Sequence, residues 1–96
     1  MGERLEKFFT PTSGMIRRAV GQTIRDLRKQ LGIAQETLAA DSGVDRSYVG
    51  QIERGEHTPT LDMLHRLLPT LRVTFSEFAV GYERRLYRAA RKNNGP

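Results

Sequence analysis

The stretch QETLAADSGVDRSYVGQIER, residues 35–54, constrains the fold of this chain more than any other part of it. Two short helical segments, 35–41 and 46–54, flank a joint containing Ser42, Gly43 and Val44. Joining two helices that tightly, at roughly 90–120°, needs particular residues at particular places. Ala39 is small where the second segment must cross closely, and Gly43 supplies a positive φ without steric cost. Leu38, Val44, Val49 and Ile52 then form an apolar wedge between the two helices and a core. Asp45 is the expected N-cap of the second segment, and Gly55 its expected terminator.

The flanking sequence supplies that core. Ile16, Val20, Ile24, Leu27 and Leu31 recur at helical spacing, which predicts a helix over 15–31 with Ser13 as cap and Gly32 at its end. Another helix is expected over 61–71, capped by Thr60, with Leu61, Leu64, Leu67, Leu68 and Leu71 inward. Pro69 removes a hydrogen bond to the His65 carbonyl, so a bend or early end is expected there. A fifth helix, over 76–91, places Phe78, Tyr82, Leu86 and Ala89 or Ala90 on one face. Nothing alternates with period two, so no strands are expected. The chain thus divides into an N-terminal arm (1–14) bearing Leu5, Phe8 and Phe9, a helix-turn-helix domain (15–79) and a basic C-terminal helix and tail (80–96).

Composition narrows the function. A net charge of +5 and a sequence pI of about 10.2 suit a polyanionic partner. The surplus is uneven, however: residues 15–71 carry 8 Lys/Arg against 7 Asp/Glu, whereas residues 72–96 carry 6 against 2. The absence of cysteine excludes disulfides and thiolate metal sites and fits a cytoplasmic protein. No apolar run approaches the roughly 20 residues of a membrane span, and no signal-peptide core or effector domain is expected. His57 and His65 are the only histidines, and no carboxylate pair or Ser–His arrangement has a supporting context. Neither catalysis, nor a metal, nor a cofactor is expected.

The run IRDLRKQLGIAQETLAADSGVDRSYVGQIERGEHTPTLDMLHRLLPTL resembles the phage-repressor-type, or XRE, helix-turn-helix family. The likeness extends from Val20 to Phe78, about 60 of the 96 residues, and its pieces stand in the right order and spacing. DRSY followed by IERG also resembles the restriction–modification controller branch of that family. The resemblance implies a compact, all-α, five-helix repressor-like domain, here with an extended C-terminal helix. It also implies a transcriptional regulator that binds double-stranded DNA sequence-specifically, with helix 46–54 in the major groove.

In family members the positions matching Arg46, Ser47 and Gln51 are the usual base readers. Their chemistry agrees: arginine suits the O6/N7 edge of guanine, glutamine the N6/N7 edge of adenine, and serine either. Gly50 is expected to let the helix approach DNA closely. Gln35, opening a helix with free N–H groups, is a candidate phosphate clamp. Ala34 departs from the family there, standing where a Ser, Thr or Asn cap is usual. Arg54 and Thr58, with His57 beside it, are further candidates for the DNA backbone; Tyr48 either joins them or fills the edge of the core. Glu53 is inward by periodicity, and the resemblance pairs it with Arg28.

The apolar stripe of the fifth helix, with Leu5, Phe8 and Phe9, is expected to build a homodimer on a near-palindromic operator. The alternative for that stripe is a cap on its own domain. Arg84, Arg85, Arg88, Arg91 and Lys92 would add unspecific phosphate attraction. A second function class stays open: an antitoxin, or another protein-interaction module with a regulatory protein partner, that autoregulates through the same DNA-binding domain.

Overall fold

The computed structural model describes residues 8–94, in which Thr12 opens a run of five helices. These are α1 (Ser13–Gln30), α2 (Gln35–Ser42), α3 (Arg46–Glu53), α4 (Leu61–Leu71) and α5 (Phe75–Asn94). Leu5, and with it the first half of the expected arm, lies outside the described residues.

Side chains satisfy the free N–H groups at most of the helix starts. Thr12 Oγ1 accepts from the Met15 amide at 3.1 Å, so the cap of α1 is Thr12 and not Ser13, whose backbone is already helical. Asp45 Oδ1 accepts from the Ser47 amide at 3.1 Å and Thr60 Oγ1 from the Met63 amide at 3.1 Å. α5 opens with a reciprocal capping box: Thr74 N donates to Glu77 Oε1 at 2.8 Å, and Glu77 N to Thr74 Oγ1 at 3.1 Å. α2 alone among the first four starts without a side-chain cap, because Ala34 has nothing to offer.

The first four helices end alike. A residue with positive φ follows each, namely Gly32, Gly43, Gly55 or Arg72. The next amide then reaches back to a carbonyl in the last turn, as Val44 N does to Ala39 O at 2.9 Å and Glu56 N to Gln51 O at 2.9 Å. Pro69 does not end α4 early. It stands on the exposed side of the last turn, as His65 does one turn earlier, and the helix runs on to Leu71. Val73 N then closes onto Leu68 O at 3.3 Å.

Ile24, Leu38, Val49, Ile52 and Leu67 are fully buried and draw α1 to α4 around one core, with Phe78 of α5 at its edge. Leu64, Leu67, Leu68 and Leu71 point into it as expected, but Leu61 does not: it is 64% exposed. As the first residue of α4 it lies beyond the reach of the core, on the rim of a groove between α1, α4 and α5.

A second cluster joins the start of α1 to the end of α5 through Met15, Ala19, Leu86 and Ala90, with Phe9, Tyr82 and Ala89 packed on it. The stripe of the long helix is therefore spent on its own chain, and Phe9 meets Tyr87 edge-on at 6.2 Å between ring centroids. Phe8 remains exposed. An ion pair between Arg85 and Asp26 fastens the same two helices.

Candidate nucleic-acid interface

α3 is bolted down by its apolar flank, where Val49 and Ile52 have no exposed surface. Against Ile52 lies α1, and the two backbones touch: a Cβ added to Gly21 would sit 2.2 Å from the Ile52 carbonyl oxygen. No side chain separates the helices there, so their spacing is set by main chain on main chain.

A charged knot fixes the rotation of α3. Glu53 is buried, with its side chain 3% exposed. Arg28 Nε donates to its Oε2 at 2.7 Å and Arg28 Nη2 to its Oε1 at 2.9 Å, a bidentate fork from α1 to α3. Gln35 Nε2 donates to Oε1 as well, at 3.0 Å, and Arg28 Nη1 donates to the Ile33 carbonyl at 2.9 Å. The hydrogen bond to Glu53 pushes the Arg28 guanidinium further above its ordinary pKa. A buried carboxylate with all these partners is satisfied; with none it would be prohibitively costly. Three helices are thereby tied at one point: α1 through Arg28, α2 through Gln35 and α3 through Glu53.

The opposite flank of α3 faces outward. Arg46, Ser47, Gln51 and Arg54 are all exposed. Eight residues of helix span about 12 Å, close to the width of the B-DNA major groove. Both arginines rest on carboxylates: Arg46 Nε lies 3.2 Å from Glu36 Oε2, and Arg54 Nε 2.7 Å from Glu56 Oε2. Arg54 also donates through Nη2 to Glu56 Oε1 at 3.2 Å, and these bonds hold the Glu56 carboxyl below its usual value.

The other sequence-predicted positions divide. Gln35 is half-buried, its amide nitrogen on Glu53 and its oxygen toward Gly50. Gly50 does not lie on the exposed flank: it is buried, and a Cβ there would meet Arg54 Nη1 at 3.0 Å. The missing side chain leaves room for Arg54 and Gln35 of the same chain, not for DNA. Tyr48 is half-buried against the core, with its ring edge-on to His57 at 4.9 Å, and burial raises its phenol pKa. Thr58 is exposed on the following loop. Sequence reasoning passed over Arg18, Gln22 and Arg25 of α1, which line a cleft beside Arg54. Their spacing at 18, 22 and 25 puts them on one helical face and was the available signal. Among the described residues no cluster of His, Asp or Glu could hold a metal, and no helix is long and apolar enough to cross a membrane.

A short helix held edge-on with an exposed row of donors, behind a helix whose first residue is clamped to it, defines a helix-turn-helix DNA-binding domain. The chain belongs to the helix-turn-helix family of XRE-type transcriptional regulators, a DNA-binding and non-enzymatic class: the model of that family matches residues 24–78, more than half of the sequence. The HTH-type transcriptional regulator SlrR of Bacillus subtilis is 42% identical over 59 residues, covering 60% of this chain and 39% of SlrR. The chain thus matches well under half of that relative's length. Among solved structures, the restriction–modification controller protein C.Esp1396I, as a tetramer on its natural 35-base-pair operator, superposes with a TM-score of 0.69 at 28% identity, covering 74% of this chain and 93% of that one. The controller protein C.AhdI of Aeromonas hydrophila gives 0.59 at 38% identity, covering 73% and 94%.

Proposed function

We propose that this chain regulates transcription by reading a near-palindromic operator as a homodimer, each copy inserting α3 into the major groove. The observation that carries the reading is the two-sidedness of α3: Val49 and Ile52 have no exposed surface, while Arg46, Ser47 and Gln51 are exposed on the far flank. Arg46 and Ser47, at the N-terminal end, read base edges, with Gln51 one turn further on. Gln35 and Arg54 bond phosphate oxygens on the groove wall, and Tyr48 and Thr58 border them.

Operator binding by an oligomer of the controller protein C.Esp1396I supports assembly on DNA. The second copy meets the apolar side chains that the fold leaves uncovered. Leu61 and Phe75, on the groove rim, and Val80 on the next turn of α5 are 64%, 43% and 58% exposed. Two copies joined there present two α3 helices about 34 Å apart, one turn of duplex.

Selection from random duplex oligonucleotides tests the reading. The expected result is an inverted repeat with half-site centres about 10 base pairs apart. Equal recovery of all sequences refutes it. In light scattering, Val80→Glu should halve the mass of the wild-type particle.

A further inference from the structure

A cleft of about 320 Å³ opens between α1 and the C-terminal end of α3, lined by Arg18, Gln22, Arg25, Glu53, Arg54 and Gly55. Its acid is already occupied, since both Glu53 oxygens are bonded to Arg28 and Gln35. Arg18 and Arg25 are exposed, and neither has a carboxylate partner among the described residues. With Arg54 paired to Glu56, the cleft therefore keeps two uncompensated cations, Arg18 and Arg25, in a domain whose net charge is close to neutral.

The recess is built firmly. Arg17 Nε donates to the Gly55 carbonyl at 3.1 Å, stapling the end of α3 to α1. A Cβ on Gly55 would meet Arg18 Cγ at 3.3 Å, so the turn presses directly on the arginine stem. The touching backbones at Gly21 and Ile52 hold the two walls at one separation.

The recess also continues the DNA face. Gln35 Oε1 and Arg54 Nη1 both flank Gly50, at 3.8 Å and 3.0 Å from where its Cβ would stand. A strip of polar side chains thus runs from Gln35 across Arg54 to Gln22, Arg25 and Arg18. A helix entering the groove N-terminus first leaves its C-terminal end, about 12 Å back, at the groove wall, where the sugar-phosphate strand lies.

We infer that Arg18, Gln22 and Arg25 form a phosphate-binding site on α1 that grips the operator backbone beyond the base-reading residues. This rests on the DNA-binding reading above. Arginine is suited to the task, its planar fork matching phosphate oxygens. The site positions and tightens; it carries no base preference.

The test uses the full chain, its selected duplex and a scrambled duplex, with binding followed by fluorescence anisotropy across salt concentrations. Arg18→Gln/Arg25→Gln should flatten the plot of log affinity against log salt by about 2, roughly 1 for each phosphate that is no longer neutralised. Affinity at 0.15 M salt should fall about 30-fold on the selected duplex, as two fewer released counterions require. On the scrambled duplex it should fall by a similar factor, leaving their ratio unchanged. The reversal Arg18→Glu/Arg25→Glu should deepen the loss, while circular dichroism of both variants matches wild type. A wild-type slope in a folded variant overturns the inference while leaving the regulator reading intact. So does unchanged duplex binding combined with abolished binding to a poly-glutamate peptide, which would assign the cleft to an acidic protein. A wild-type chain that binds no duplex at all sinks both readings together.

Discussion

Two arginine–glutamate pairs sit within a few residues of each other and do opposite work. Arg28–Glu53 is enclosed, with side chains 11% and 3% exposed, and bidentate. Arg46–Glu36 is open, at 60% and 66%, with its nearest approach at 3.2 Å. In the first, both charges have left water and each depends on the other. In the second, water solvates either charge alone, so the arginine can leave its partner at little cost. The enclosed pair makes the geometry; the open pair holds only loosely an arginine proposed to read bases. What separates them is solvent, not chemistry.

The largest effect should come from Glu53→Ala, which strands Arg28 and releases Gln35. A loss of about 3–5 kcal/mol is expected in urea unfolding. A double-mutant cycle with Arg28→Ala should return most of it as coupling; independent, additive losses would erase the distinction between the pairs.

Arg46→Ala should leave the unfolding midpoint nearly unchanged. It should cost about 1–3 kcal/mol of operator affinity and relax preference at one base pair. A uniform loss over all sequences would make Arg46 a backbone-binding residue.

Ala34→Ser sharpens the contrast from another side, by giving α2 the cap it lacks. A gain of about 1 kcal/mol in thermal or urea stability is expected, with Gln35 still bonded to Glu53.

Glu36→Gln should change stability by less than about 0.5 kcal/mol. Its readout is DNA affinity, which should rise slightly on every duplex as Arg46 is freed.

What could be read from sequence was local. Asp45, Thr60, Gly43 and Gly55 do their work within a few residues, and their roles follow from the chemistry of one turn of chain. The capping box at Thr74 and Glu77 was equally local and equally visible as T-x-x-E, yet the expected helix began at residue 76, past the Thr74 cap. Other features depended on distance in space. Leu61 has the periodicity of a core residue but stands past the end of the core. Gly50 belongs to α3 by sequence and serves Arg54 and Gln35 by proximity. The stripe of α5 advertises an apolar face, but only the fold shows that α1 already covers it. Arg18 and Arg25 were hidden by summing charge: a segment near neutrality as a whole still holds a positive recess once Glu53 is paired away.

Main chain resting on main chain at Gly21 and Ile52 leaves no padding that could be thickened or thinned to tilt α3. On the proposed reading, descendants of this domain that change their target have one inexpensive route, which is to exchange the letters at 46, 47 and 51 while the bearing beneath them stays the same. Operator drift should then appear as turnover at those three positions against a nearly invariant mount.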